Sequence, residues 1–263
     1  MNRLTSYTAM VAALAAAVAL SPGACAEDAH TAAPAALRQP ALITPKALHA
    51  AMLAVASAGH RLVAAGERGT ILYSDDGGNA WRQAQVPVQA SLSAVQFIDA
   101  RLGWAVGHLG VVLHSADGGA TWSKQLDGIQ AAQLALRAAA EATGPEQAHA
   151  QADAQRLVDD GPDKPFLDVH FDGPRNGYVL GAYNLLFRTA DGGATWQLWQ
   201  GRAANPKGLH LYGMRGAGGA LYIAGEQGLL LRSTDQGKPL GLAAWPCHGC
   251  QVAPPSVVRN SRL

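Results

Sequence analysis

Four aspartates occupy the same position in a repeated phrase of this chain, and carboxylates placed in pairs are the groups that general acid–base catalysis uses. Each aspartate follows a serine or threonine by two residues and precedes a glycine by two. Because each copy lies in a separate hairpin, the carboxylates are spread through the molecule and cannot converge on one substrate. We therefore predict no catalytic residue here and expect each carboxylate to bind backbone amides of its own turn. The four residues are Asp76, Asp117, Asp191 and Asp235.

Positively charged side chains share a second equivalent position, six residues before the first glycine of each phrase. Three of the four copies carry a potential cation there, and an arginine adjoins the first of them. These residues lie in the turn between the first and second strands of each repeat, so we expect them side by side on one face, with the Asp hairpins facing elsewhere. Such a basic rim would dock an acidic or backbone-rich peptide; the alternative is that these are ordinary solvated turn residues. The candidate partner-binding residues are His60, Arg61, Arg101 and Arg175.

The repeated phrase is sixteen residues long and predicts one hairpin in each copy. It covers 66–81, 107–122 and 181–196, and it starts again at Gly225 before breaking off after Gly237. In the three full copies an Asp-Gly-Gly turn and a tryptophan follow a short apolar run. Asp-Gly favours a tight turn because glycine adopts positive φ at little cost. The tryptophan can then pack across the hairpin and seal it.

The spacing of the phrases predicts an all-β fold, a β-propeller of four-stranded antiparallel blades. The first glycines of copies one and two are 41 residues apart, and those of copies three and four are 44 apart, which is the length of a four-stranded blade. The middle interval is 74 residues, and its excess, 127–163, has apolar residues at helical spacing. This excess predicts a helical hairpin inserted between blades two and three. Since the pattern collapses after Gly237, we expect blade four to lack its last strand and about four blades to form an incomplete arc.

The phrase Ser/Thr-x-Asp-x-Gly-x-Thr-Trp resembles the Asp-box, or BNR repeat, of β-propellers, and 115–122 and 189–196 match it at every position. The flanking segments 97–107 and 171–181 resemble the photosystem II assembly and stability factors Ycf48 and Hcf136 and their bacterial relatives. The resemblance covers 48–237. The residues predicted to build the structural Asp-boxes are Ser74, Asp76, Gly78 and Trp81, then Ser115, Asp117, Gly119 and Trp122, then Thr189, Asp191, Gly193 and Trp196, and finally Ser233, Asp235 and Gly237.

This resemblance implies a non-enzymatic, exported propeller that binds a membrane-protein subunit or complex and assists its assembly or stability. Those factors bind partners through an Arg-rich patch, and their larger number of blades makes this chain look truncated at its C-terminus. The sequence itself says nothing about photosynthesis. The alternative is a sialidase-type glycoside hydrolase. That enzyme would need a cluster of three arginines, a tyrosine nucleophile and a Phe/Tyr-Arg-Ile-Pro motif, and none of these is evident in the sequence.

The two ends of the chain differ from the repeats. Residues 1–26 combine an early Arg3, an apolar run too short to span a bilayer and a small-residue cleavage pattern ending at Ala26. These features predict a secretory signal peptide and export to the periplasm, with membrane association through a partner. The alternative is a lipoprotein anchor at Cys25, but Pro22 stands where a large aliphatic residue would be expected. Residues 27–47, rich in Ala, Pro, His and Gln, predict a flexible linker. The blades are assigned to 48–237, and 238–263 is predicted to be an irregular C-terminal tail.

Charge and cysteine content narrow the choice of partner. The chain has 20 basic and 19 acidic residues, so it lacks an electrostatic footprint for nucleic acid, and no small-molecule substrate is expected. Cys25 leaves with the signal peptide, while Cys247 and Cys250 could form a disulfide or half of a metal site. Because no second pair of ligands is evident, no metal or cofactor is predicted. The predicted partner is therefore a protein.

Overall fold

The computed structural model describes residues 33–145, 147–235 and 240–243. These residues form four antiparallel sheets of four strands each, and each sheet is built from consecutive strands. The four sheets are numbered as blades in chain order. Blade 1 holds β1 (Met52–Ala58), β2 (Arg61–Gly66), β3 (Ile71–Ser74) and β4 (Arg82–Gln83); blade 2 holds β5 (Leu92–Phe97), β6 (Gly103–Gly107), β7 (Val112–Ser115) and β8 (Ser123–Leu126); blade 3 holds β9 (Phe166–Phe171), β10 (Gly177–Gly181), β11 (Leu186–Thr189) and β12 (Gln197–Leu198); blade 4 holds β13 (Leu211–Ala217), β14 (Ala220–Gly225), β15 (Leu230–Ser233) and β16 (Gly241–Leu242).

Within each blade every strand pairs with the next one along the chain. In such a meander the turn between the first and second strands and the turn between the third and fourth strands lie at the same end of the sheet. The turn between the second and third strands lies at the opposite end. Each Asp-box is the turn between the third and fourth strands. We call the end that carries these turns the Asp-box edge of the blade.

The blades pack face to face in chain order. The first strands of neighbouring blades contact one another, β1 with β5, β5 with β9 and β9 with β13. No such packing joins β13 back to β1 among the residues that the structure describes. Separate apolar cores fill the spaces between blades 1 and 2, between blades 2 and 3 and between blades 3 and 4. Among the described residues, the four blades therefore form the predicted open arc, in which blades 1 and 4 do not pack on each other through their first strands.

The first glycine of each phrase is required by a close approach of two backbones. At Gly66, Gly107 and Gly181 an added Cβ would collide with a backbone oxygen of the segment that leads into the first strand of the same blade. That segment contributes the carbonyl of Ala51 in blade 1 and of Ser91 in blade 2. A side chain at this position would push the entering segment away from the sheet. The repeated glycine is therefore explained by packing within each blade.

The predicted helical hairpin is present between blades 2 and 3. It consists of α1 (Gly128–Glu141) and α2 (Gln147–Asp159). Asp127 begins α1 with a capping box: its carboxylate accepts from the Gln130 amide, and the Gln130 side chain accepts from the Asp127 amide. The two helices pack through small alanines such as Ala139 and Ala154. The α1 helix also contacts β12, so the insertion lies against blade 3 as well as blade 2.

Blade 4 has a fourth strand, and the expectation that it lacks one is wrong. The strand β16 pairs with β15 through Leu231–Leu242 and Arg232–Gly241. Leu240 takes the place that tryptophan has in the other copies, and it is buried in the core between blades 3 and 4. The sequence pattern failed to predict β16 for two reasons: leucine replaces tryptophan at the buried apolar position, and the strand has only two residues. The part of the predicted tail that the structure describes thus belongs to the blade.

The predicted linker is also ordered where the structure describes it. Leu37 and Ala41 are buried in the core between blades 1 and 2. The Ala41 amide donates to the Val86 carbonyl at 2.9 Å, and the Gln89 amide donates to the Ala36 carbonyl at 2.7 Å. A flexible linker is therefore the wrong description for residues 33–47, because Leu37, Ala41 and Ala47 are buried.

Several predictions concern residues outside the described ranges. They are the signal peptide 1–26, the first part of the linker, Gly237, and the last twenty residues with Cys247 and Cys250. Within the described residues no helix is both long enough and apolar enough to span a membrane.

Candidate partner-binding surface

The second Asp-box shows how the repeated residues close a hairpin. Ser115 Oγ donates to Asp117 at 2.9 Å and accepts from the Gly119 amide at 2.8 Å. The same carboxylate accepts from the Thr121 amide at 3.0 Å and from the Thr121 hydroxyl at 2.6 Å. Trp122 Nε1 donates to the Gly119 carbonyl at 2.9 Å while its ring is buried. These bonds of the carboxylate all stay inside its own turn.

The third Asp-box repeats these bonds with one difference. Asp191 accepts from the Thr195 hydroxyl at 2.6 Å and from the Thr195 amide at 2.9 Å. These two bonds, with a third from Thr189, lower the pKa of Asp191 to about 2. The ring of Trp196 is buried like that of Trp122, but its Nε1 has no partner among the described residues. At the turn of this box, Gln125 of blade 2 donates to the Gly192 carbonyl at 2.9 Å.

The first and fourth boxes use the same chemistry with fewer residues. In the first, Asp76 accepts from the Ala80 amide at 2.9 Å and from Ser74 at 2.8 Å, and the bond from Ala80 contributes most to the lowered pKa of Asp76. In the fourth, Ser233 Oγ donates to Asp235 at 2.6 Å. The local bonding of all four carboxylates supports the interpretation of the boxes as turn locks.

The cations of the predicted rim lie on the Asp-box edge. Arg101 Nε donates to the Ala116 carbonyl at 3.3 Å, and the Arg101 carbonyl accepts from the Gly118 amide at 2.9 Å. In blade 3, Arg175 makes the same pair of contacts, with the Ala190 carbonyl at 3.4 Å and the Gly192 amide at 2.9 Å. The expectation that the Asp hairpins face away from these arginines is therefore wrong, because a meander places both turns at one end of the sheet.

Arg61 reaches from blade 1 to the Asp-box of blade 2. Its Nη1 donates to the carbonyls of Asp117 and Gly118 at 3.3 and 3.2 Å. Its Nε lies 2.6 Å from Asp75 Oδ1, and its guanidinium lies 4.5 Å from the centre of the Tyr73 ring. Asp75 balances this cation, and sequence reasoning did not select either Asp75 or Tyr73. Their positions could have indicated this role, because Tyr73 directly precedes the first Asp-box and Asp75 lies within it.

The structure thus brings two of the four candidate cations together. Arg61 and Arg101 both donate to the turn of the second Asp-box, while Arg175 occupies the equivalent place one blade further along. His60 is exposed beside Arg61, and the close approach of Gly59 to Ala100 brings the first-to-second strand turns of blades 1 and 2 into contact. We call the surface formed by His60, Arg61, Arg101 and Arg175 the basic edge.

The described residues also bear on whether the protein has a metal site. No group of three or more His, Cys, Asp or Glu side chains that could hold a metal ion occurs there. Four-stranded meander sheets, each with an Asp-box turn and packed face to face through their first strands, define the class of Asp-box β-propellers.

The family of this propeller follows from comparison with known proteins. The family model described as Photosynthesis system II assembly factor YCF48 matches residues 44–128 and 147–242, which is more than half of the chain. The chain belongs to this family. Over 72 residues it is 35% identical to the Photosystem II assembly lipoprotein Ycf48 of Synechococcus sp. (strain CC9902), a match that covers 27% of this chain and 22% of the relative.

Solved structures with similar architecture include two of YCF48. One is YCF48 bound to D1 peptide, with a TM-score of 0.49 and 17% identity, covering 78% of this chain and 57% of that one. Another is YCF48 from Cyanidioschyzon merolae, with a TM-score of 0.47 and 20% identity, covering 70% of this chain and 50% of that one. A GH74 enzyme of Niastella koreensis has a TM-score of 0.49 and 16% identity, covering 73% of this chain and 30% of that one. The chain spans about half the length of the YCF48 structures and about a fifth of the curated relative.

Proposed function

We propose that this protein is an exported, non-enzymatic propeller that binds a segment of a membrane-protein subunit and assists the assembly or stability of that subunit. Membership of the YCF48 assembly-factor family carries this proposal. One of the similar structures is YCF48 bound to D1 peptide, so a peptide is the ligand of that relative. A peptide segment of a membrane protein is therefore the class of partner that we propose here.

The basic edge is the surface that we propose for docking. Arg101 and Arg175 are exposed, and the Nε of each donates to a carbonyl of the neighbouring Asp-box turn at 3.3 Å or longer. Both guanidinium groups keep further donors for a carboxylate or a peptide carbonyl. Arg61 is already paired with Asp75, so its proposed part is to hold the edge together across blades 1 and 2. The donors of Arg101 and Arg175 would bind a carboxylate or carbonyl of the segment directly, while the Asp-box carboxylates on the same edge offset their longer-range attraction for an acidic segment.

The test is a pull-down from the organism's own membranes with the wild-type protein and with Arg101→Glu combined with Arg175→Glu. The wild type should recover a membrane-protein subunit, and the double variant should recover much less of it. The loss should be largest at low salt, because salt screens exposed charges. A matched control is Arg137→Glu combined with Arg156→Glu, which makes the same charge change at exposed positions of α1 and α2.

Two results would contradict the proposal. If the basic-edge variant and the control recovered equal amounts of the partner, with normal thermal melts, the basic edge would not be the surface that binds it. Recovery of no membrane protein by the wild type, or hydrolysis of a fluorogenic sialoside by the purified protein, would overturn the assembly-factor function itself.

A further inference from the structure

The turns between the second and third strands share one backbone conformation, at the end of the sheets opposite the Asp-box edge. In each turn a non-glycine residue has a φ between 53° and 58°, and the next residue also has positive φ. These first residues are Arg68, Leu109, Tyr183 and Gln227. The second residue is glycine in blades 1, 2 and 4 but Asn184 in blade 3. The blade 3 turn therefore carries more backbone strain than the other three and needs contacts that hold it.

Side chains of the segment that leads into blade 4 hold the blade 3 turn. Asn184 Oδ1 accepts from Asn205 Nδ2 at 3.0 Å, and the buried Asn205 also bonds the amide and the carbonyl of Leu209. The Tyr183 amide donates to His210 Nδ1 at 2.9 Å, and the two rings meet edge to face with 4.7 Å between their centres. His210 therefore joins the turn directly to the residue before β13.

The bond between Tyr183 and His210 requires a neutral imidazole. A backbone amide can only donate, so Nδ1 must present its lone pair, and the proton of the neutral ring must lie on Nε2. A second proton, on Nδ1, would remove the acceptor and leave the Tyr183 amide facing an N–H group. Histidine is the side chain that ordinarily changes charge between pH 5 and pH 8. The contact therefore exists only in the form of the ring that lacks this second proton.

The equivalent junctions use groups that do not titrate. Between blades 1 and 2, the Arg68 amide donates to Ser91 Oγ at 3.2 Å, and Ser91 directly precedes the first strand of its blade as His210 does. Between blades 2 and 3 the equivalent residue is Pro165, and there the turn packs on the start of α1 instead. Of the three junctions that the structure describes, only the one between blades 3 and 4 has a titratable acceptor.

The charged and titratable groups around His210, among the residues described, come from three elements. On the turn before β15, Glu226 Oε2 accepts from the His210 amide at 3.3 Å. After α2, Lys164 Nζ lies 5.3 Å from the centre of the Tyr183 ring and pairs with two aspartates, while on β13 the Tyr212 ring lies 6.4 Å from the imidazole centre. Lys164 disfavours a charge on His210 and Glu226 favours it, so the lost bond is the deciding change. The two aspartates are Asp160 and Asp163.

We infer that His210 is a protonation-sensitive latch between blades 3 and 4: the neutral ring holds the Tyr183 turn on blade 4, and the protonated ring releases it. The turn lies at the surface, with Tyr183 62% and Tyr212 52% exposed. Release therefore changes the surface that Tyr183, His210 and Tyr212 form, while the core between blades 3 and 4 stays packed. This surface and the basic edge lie at opposite ends of the sheets, so the latch does not depend on the proposed docking site.

Thermal melts of the full chain at pH 8 and pH 5 test the latch. His210→Ser gives blade 4 the acceptor that blade 2 already has in Ser91. The melting temperature of the wild type, relative to this variant, should fall by about 2–4 °C from pH 8 to pH 5, the shift expected for one hydrogen bond in a chain of this size. Groups that titrate elsewhere are present in both proteins and cancel in the difference. Ser91→Ala is the matched control, because its difference from the wild type should not change with pH.

Hydrogen exchange of single amides, followed by NMR, tests the latch in the wild-type protein alone. The protection factor of the Tyr183 amide should fall roughly five- to tenfold relative to that of the Arg68 amide as the pH is lowered from 8 to 5, as expected for the loss of one hydrogen bond. The Arg68 amide is the internal reference, because it makes the equivalent bond to a serine.

Three results would overturn the inference. A difference in melting temperature between the wild type and His210→Ser that stays constant with pH would mean that the junction does not sense the proton. A wild type that gains on His210→Ser at pH 5 would mean that Glu226 holds the charged ring in place. Parallel loss of protection at Tyr183 and Arg68 would show that acid loosens the blades in general.

Discussion

Asp191 shows how hydrogen bonds within one Asp-box stabilise an ionised carboxylate. The bonds from Thr195, together with that from Thr189, stabilise the ionised carboxylate, and they hold its pKa at about 2 in the folded protein against an ordinary value of 3.8. Because the folded-state pKa is lowered, the ionised form contributes stability above the unfolded pKa and loses that contribution as the pH falls through the folded one. The window of loss therefore runs from about pH 4 down to about pH 2.

This linkage gives a prediction for Asp191→Asn. The variant should melt at a lower temperature than the wild type at neutral pH, and the gap between the two melting temperatures should shrink as the pH falls from about 4 towards 2. Thermal melts across that range would measure the gap. Asp153→Asn, which removes an exposed carboxylate on α2, controls for the change of net charge. A gap that stays constant down to pH 2 would mean that the Asp191 bonds do not depend on ionisation.

At the scale of elements, blade 4 shows that a very short strand can complete a sheet. The strand β16 has two residues, but Leu240 next to it is 1% exposed and lies in the core between blades 3 and 4. Its amide donates to the Arg202 carbonyl at 2.8 Å, which ties it to the segment after β12. Leu242, two residues further along, is 70% exposed. A comparison of substitutions at Leu240 and Leu242 therefore distinguishes the contribution of core packing from that of strand pairing.

We predict that Leu240→Ala lowers the free energy of unfolding by about 2–5 kcal/mol, as expected for a buried leucine. Leu242→Ala should change the free energy of unfolding by less than about 0.5 kcal/mol, because the side chain is exposed. Chemical denaturation of both variants would measure the difference. Equal decreases in the free energy of unfolding would contradict the placement of Leu240 in the core. If neither substitution changed the free energy of unfolding, blade 4 would fold without its last strand.

At the scale of the whole molecule, three apolar cores hold the four blades together, one between each pair of neighbouring blades. The outer side of β1 differs from these cores, because Leu53 and Val55 are 56% and 67% exposed. The basic edge lies at one end of the sheets, so substitutions there leave the three cores intact.

The sequence by itself determined the Asp-boxes, the number of blades and the helical insertion. Each of these depends on local chemistry: hydroxyl, carboxylate and glycine within a few residues build the turn, and apolar spacing marks the helices. For this reason Asp117 and Asp191 could be assigned their structural roles before the structure was known.

Only the tertiary structure decided which repeated residues are covered and which turns meet. Val55 and Val169 look alike in sequence, yet one is exposed and the other buried, because burial depends on a neighbouring blade built from a distant part of the chain. In the same way, Arg101 lies on the carbonyl of Ala116 because a meander brings the two turns to one edge. A local sequence pattern does not contain information about such neighbours, because they are determined by packing between residues that are far apart along the chain.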